Sequence, residues 1–210
     1  MSEQTKRDSF ALKGALIFFV GLVVGGLGMH LAKDTVREQS IESETYPNGQ
    51  KKWEGELEDG LEQGLWKFYR EDGTIFGSGE FVEGVQVGNW TTYDGSGKKS
   101  WEGAVDQYGL SKGEQRVYDS AGRLRGRDNF KDGIAHGESL GFSPNGKRVW
   151  QVDFKNGFVH GEAKEWDSDG TLRFVSEYKN GVPHGKHITY GLNGDKIELN
   201  YVDGRVVIED

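Results

Sequence analysis

No cysteine occurs in the 210 residues, which excludes disulfide staples and thiolate metal centres. Basic charge is in deficit, 26 Lys and Arg against 34 Asp and Glu, for a net charge of −8. From residue 46 onward 21 basic residues face 28 acidic ones. An acidic surface repels phosphate, so nucleic acid is not an expected partner. It argues equally against that region lying flat on anionic lipid. Nucleotide loops are missing too: there is no Gly-x-x-x-x-Gly-Lys-Ser/Thr and no Gly-x-Gly-x-x-Gly between a strand and a helix. Ser, His and acidic residues occur, none of them in a nucleophile-elbow context. These absences leave no catalytic residue, no cofactor-binding residue and no metal ligand to assign. The chain reads as non-enzymatic and without a cofactor.

Glycine is abundant, and 20 of the 33 follow one ruler. Units open near 46, 69, 93, 118, 142, 166 and 190, and their opening aromatics lie 23, 24, 25, 24, 24 and 24 residues apart. A first glycine closes each opening, at Gly49, Gly73, Gly97, Gly122, Gly146, Gly170 and Gly194. A second follows at Gly60, Gly84, Gly109, Gly133, Gly157, Gly181 and Gly204. A third comes four residues later in six units, at Gly64, Gly88, Gly113, Gly137, Gly161 and Gly185. A fixed period of this size means a repeat architecture whose units cannot bury an apolar face alone. Ten of the fourteen first- and second-rank glycines follow Asn or Asp, dipeptides that tolerate the positive φ of tight hairpin turns. All twenty are therefore read as structural turn glycines.

Between the turns the pattern alternates. Eight residues after the first glycine stand Leu57, Phe81, Val105, Phe130, Phe154 and Tyr178. Four residues after it stand Trp53, Gly77, Trp101, Gly126, Trp150 and Phe174, with charged residues such as Glu54 and Glu56 between. Period two with one apolar face is a half-buried strand, so each unit is expected to be a β-hairpin. The large–small alternation at the fourth position predicts that glycine in the next unit makes room for each indole.

The recurring Tyr-x-x-x-Gly, Asn/Asp-Gly-x-x-x-Gly and Gly-x-Trp-x-x-Tyr elements resemble the MORN repeat, specifically its variant common in bacterial proteins. The resemblance covers residues 45–210, with one inserted residue around Tyr108-Gly109 and no third glycine in the last unit. It implies an all-β, elongated antiparallel sheet of about seven stacked β-hairpins, roughly 65 Å long at ~4.8 Å per strand. It implies a scaffold for protein contacts and, in some members, lipid contacts. An antitoxin-type role, borne by some bacterial relatives, finds no independent support in these residues.

Ahead of the repeats, residues 14–32 run 19 residues without a formal charge, between Lys13 and Lys33. That approaches the ~20 residues of a transmembrane helix and exceeds the apolar core of a signal peptide, about 7–15 residues. An uncleaved signal anchor is expected. Lys6, Arg7 and Lys13 before the segment, against Lys33 and Arg37 after it, favour a cytoplasmic N-terminus. Residues 1–13 would then be a cytoplasmic tail, 33–45 a polar stalk, and 46–210 a repeat domain outside the cytoplasm, periplasmic in a Gram-negative cell. Small residues including Gly14, Gly21, Gly25 and Gly28 share one helix face, which would let two anchors approach and form a homo-oligomer.

His136, His160 and His184 each precede a third glycine. Equivalent positions lie two strands apart, about 9.6 Å, too far for one zinc ion with bonds of ~2.0–2.1 Å. They read as turn residues repeated by duplication. The expected function is a membrane-anchored interaction scaffold with an unidentified protein partner, set against an antitoxin-like, lipid-binding or small-ligand role, or an enzyme site assembled across repeats.

Overall fold

The computed structural model describes residues 39–208, all of them in strands or the turns between them. The expected helix over 14–32, with Gly14, Gly21, Gly25 and Gly28, lies outside the described residues. No helix among those described is long and apolar enough to cross a membrane.

One antiparallel sheet of 16 strands takes up the described chain. A first strand, β1 (Gln39–Thr45), precedes seven hairpins. These are β2 (Lys51–Glu58) with β3 (Leu61–Tyr69), β4 (Ile75–Val82) with β5 (Val85–Tyr93), and β6 (Lys99–Val105) with β7 (Ser111–Tyr118). Next, β8 (Leu124–Lys131) pairs with a strand interrupted at His136, giving β9 (Ile134–Ala135) and β10 (Gly137–Phe142). Then come β11 (Arg148–Lys155) with β12 (Phe158–Trp166), β13 (Leu172–Lys179) with β14 (Val182–Tyr190), and β15 (Lys196–Val202) with β16 (Arg205–Val207). Strand order follows chain order throughout, so the contacts are between sequence neighbours, as in other repeat proteins.

Two turn types alternate. At six second-rank positions an Asp, Asn or Glu with φ 49–52° precedes a glycine with φ 77–83°. Positive φ at both central residues makes a type I′ turn, whose twist matches that of the strands. The first-rank glycines close longer turns, each donating its N–H to the carbonyl three residues back at 2.8–3.2 Å. The unit with the inserted residue shows how the sheet absorbs it. There Gly109 donates to the Asp106 carbonyl at 3.1 Å, so the longer turn replaces the two-residue one and the register beyond it is kept.

The third glycines are not turn residues, and here the reading from sequence needs correction. Gly64 lies inside β3, where Glu54 pairs with Lys67 and Glu56 with Gln63. Three residues therefore face one, and the same bulge recurs opposite Ser78–Glu80 and Glu102–Ala104. All six third glycines have φ between 64° and 94°, the left-handed conformation that a bulge asks of one residue.

Residues 39–45, expected to be stalk, instead form β1, paired with β2 from Gln39↔Glu58 to Thr45↔Lys51. The strand is exposed on both faces, with Ile41 88% exposed. Main-chain pairing against an open edge holds it, with the Glu44 carboxylate accepting from Trp53 Nε1 at 2.8 Å and Lys52 Nζ at 3.1 Å, and neither leaves an apolar period in the sequence.

Three parallel rows of side chains cross the inner face. The outer two carry the fourth- and eighth-position residues; the middle row lies two residues beyond each third glycine. In the first half it alternates indole and glycine: Trp66 pairs with Gly79 and Trp90 with Gly103. A Cβ on Gly55 would lie 2.2 Å from the Trp66 ring, and one on Gly79 2.1 Å from that of Trp90. A Cβ on Gly141 would likewise collide with Trp150. The glycine that accommodates an indole thus sits on the adjacent strand, not at the fourth position of the next unit as the size alternation suggested. Backbone pairing, rather than unit spacing, decides which residue lies beneath a ring. Trp66, Phe81 and Trp90 form the buried core, with Trp53, Leu57, Phe68, Trp101 and Val105 packed against them.

Candidate interaction surface

The polar face is threaded by ion pairs. From β6 to β11 a chain runs Lys99–Glu102 (2.8 Å), Glu102–Arg116 (3.3 Å), Arg116–Glu114 (2.5 Å), Glu114–Arg127 (3.2 Å) and Arg127–Glu138 (2.8 Å). Gln151 extends it by donating to Glu138 at 3.0 Å and accepting from Arg148 at 2.6 Å. Hydrogen bonds from Lys99 and the Tyr118 hydroxyl hold the Glu102 carboxyl down at about 2. Glu54, bonded by Lys51 and the Tyr69 hydroxyl, is likewise lowered to about 2. Each exposed pair contributes only ~0–1 kcal/mol. Their consequence is a face of fixed, alternating charge.

The in-phase histidines have a structural task. Nδ1 of His136, His160 and His184 receives the backbone N–H of Asn156, Asn180 and Asp203 at 3.4–3.5 Å. Gln63 does the same for Glu83 at 2.9 Å. Each side chain thus caps the first residue of the next unit's type I′ turn, a donor otherwise left unpaired. The second-rank glycines reinforce the link: Gly84, Gly133, Gly157, Gly181 and Gly204 donate to the preceding unit's second strand at 2.7–3.0 Å. No group of three His, Asp or Glu among the described residues could hold a metal ion.

His187 has a role that its sequence position did not disclose. It occupies the middle row where Trp66 and Trp90 stand in earlier units, and it stacks on Tyr201 at 4.3 Å. Its Nε2–H donates to the Glu177 carbonyl at 3.1 Å, and Nδ1 accepts from the Ser176 hydroxyl. Burial holds the imidazole below its ordinary pKa, in the neutral form this bonding requires. Serine beside histidine suggests a nucleophile, but Ser176 is 0% exposed, so no substrate reaches its oxygen. At mid-sheet Gln115 pairs with Asp128, whose carboxyl burial pushes up. One carboxylate among neutral groups makes no metal centre. Two shallow depressions, of about 380 and 310 Å³, are lined by Arg123, Leu124 and Phe142 and by Val82, Val105 and Lys112. Neither brings an acid, a base and a nucleophile together.

The edge made by the type I′ turns carries a feature that the alternation did not reveal. The residue after each second glycine is apolar in six units: Leu61, Val85, Leu110, Ile134, Phe158 and Val182, all 37–59% exposed. Each lies over the next unit's second glycine, where an added Cβ would meet it at 3.2–3.6 Å. The signal was present as an in-phase residue, but on the edge rather than the inner face.

Comparison with known families fits this geometry. The family described as MORN repeat variant matches residues 159–180, which take in β12 from its second residue, the turn closed by Gly170, and β13. The match supports the MORN repeat family, a repeat type commonly engaged in protein or membrane interaction and non-enzymatic. No curated protein matches the chain.

Proposed function

We propose that this protein is a non-enzymatic, membrane-anchored repeat scaffold that mediates protein–protein contact at the cell envelope. The observation that carries the reading is that every described residue belongs to one sheet whose charged face nothing in the described chain covers. Such a face suits a partner protein of complementary charge pattern, because fixed ion pairs set orientation and register more than affinity. Residues 14–32 would hold it at the membrane as a single-pass anchor, with the N-terminus in the cytoplasm and the repeats outside. An antitoxin role requires cytoplasmic repeats, so topology separates the two readings.

A reporter that works only outside the cytoplasm, fused after Asp210, is expected to be active, and the protein to resist extraction by alkali. Activity only of a cytoplasmic reporter, or a soluble form beginning near Met29, would overturn the anchor. For the scaffold itself, a specific partner recovered from the detergent extract should be lost in Arg116→Glu/Arg127→Glu. Retention of that partner by the variant would remove the charged face from the proposal.

A further inference from the structure

The turn edge is polarised as well as apolar. The cross-strand partners of its tip residues are Glu58 for Leu61, and Lys131, Lys155 and Lys179 for Ile134, Phe158 and Val182. Asp59 and Glu62 flank the first turn glycine and Glu83 the second, and no residue within three positions of either glycine in sequence is basic. In the fifth and sixth turns the only charged residues are Lys155 and Lys179. The third and fourth are balanced, by Asp106 with Lys112 and by Lys131 with Asp132. Charge therefore runs from acidic to basic along one stripe of exposed hydrophobic side chains.

We infer that the occupant of this edge is the same edge of a second copy, running antiparallel. A two-fold axis between the third and fourth turns sets the first turn against the sixth, the second against the fifth, and the third against the fourth. Acidic turns then face basic ones at both ends, and Leu61 meets Val182, Val85 meets Phe158, and Leu110 meets Ile134. Such a contact is isologous and closes on itself, as most homodimers do. A parallel arrangement would set acid against acid and lysine against lysine, which like-charge repulsion disfavours. Contact through turn tips covers the apolar stripe that a lone chain leaves in water and leaves both faces of the sheet for other partners. The pairing goes beyond the scaffold reading and stands without it. It is also distinct from association through residues 14–32.

Charge reversal tests it on the full chain in detergent. One variant carries Lys131→Glu, Lys155→Glu and Lys179→Glu; the other carries Glu58→Lys, Glu62→Lys and Glu83→Lys. Sedimentation should show each alone dimerising at least ~10-fold more weakly than the parent, and an equimolar mixture recovering the parent's association. That recovery also shows that both variants fold. Orientation is read by oxidative cross-linking, which is unambiguous because the parent has no cysteine. Leu61→Cys mixed with Val182→Cys should form a covalent dimer, whereas Leu61→Cys alone should not. A monomeric parent, association indifferent to both charge reversals, or efficient coupling of Leu61→Cys to itself would each overturn the inference.

Discussion

The first two hairpins and the fourth to sixth build one backbone around opposite kinds of core. Two residues after the third glycine the early units place Trp66 and Trp90, 4% and 9% exposed, each lying over a glycine. The later units place Ser139, Ala163 and His187 at that position, on one continuous row with Val152, Ser176 and Leu199. Ser139 and Ser176, at 1% and 0%, are the most thoroughly buried side chains described. Positive φ nevertheless recurs at the ruler glycines from end to end, although the third glycines stand at 64–66° in the first three units and 88–94° in the next three. Turns and bulges therefore specify the sheet, and the middle row is free to vary in size provided the facing strand varies with it. Large against glycine fills the same width as small against small.

That contrast breaks most visibly at Trp66. Removing its indole should cost about 3–5 kcal/mol, since the ring belongs to the buried cluster of Trp66, Phe81 and Trp90. Ala163→Gly, at the equivalent position, removes one methyl and adds backbone freedom, for about 1 kcal/mol. Chemical denaturation of both variants gives the comparison. Equal losses would mean that the two halves share a core logic after all.

At the turns the halves should instead behave alike. Gly157 has φ 83°, and a Cβ there would lie 3.2 Å from Ile134 of the preceding unit. Gly157→Val should strain the turn by about 1–3 kcal/mol, and Gly60→Val in the first hairpin by a similar amount, since its φ is 80°. Because Gly157 also donates to Ala135 of the unit before it at 2.9 Å, hydrogen exchange should rise in both neighbouring hairpins. His160→Ala loses the contacts of one ring nitrogen with Asn180, at 3.4 Å to its N–H and 3.2 Å to its Oδ1, and should cost no more than about 1 kcal/mol. Exchange confined to the mutated turn would contradict the coupling between units.

What could be read from sequence follows from what each feature demands of the chain. A backbone that must enter the left-handed region demands glycine, and all twenty ruler glycines stand at positive φ. The hairpin array and its all-β class were legible for that reason, together with the period-two alternation. Gly55 and Gly79 were not, because they yield to a ring on another strand, and which ring depends on turn length and bulge. Nor was β1, held by main-chain pairing and by Glu44, which accepts from Trp53 and Lys52 of the neighbouring strand. The apolar edge stripe escaped because an exposed residue repeated once per unit breaks no alternation. The histidine caps were hidden similarly, since they act on a neighbouring repeat 20 residues away.

The smallest expected effect concerns two carboxylates, one in each half, whose surroundings shift them in opposite directions. Glu54 lies on the polar face of the first hairpin, lowered to about 2 by Lys51 and Tyr69. Glu165 pairs with Trp150 on one side and Phe174 on the other, and burial pushes its carboxyl above the usual range. A lowered folded pKa contributes stability that is present above the unfolded value of ~4.3 and lost as pH falls toward 2. A raised one does the reverse, costing stability at neutral pH and releasing it as pH falls through the folded value. Glu54→Gln should therefore lower stability at pH 7 and flatten its decline between about pH 4.3 and 2. Glu165→Gln should raise stability at pH 7, by about 0.5 kcal/mol or less given its partial exposure, and that advantage should vanish near pH 3–4, where the parent's carboxyl has taken up its proton. Thermal melts of the two variants and the parent from pH 2 to 7 resolve both signs. A Glu165→Gln protein less stable than the parent at pH 7 would show that this carboxylate is held by a favourable contact, and that the later hairpins tolerate charge on their apolar face as readily as the earlier ones do on their polar face.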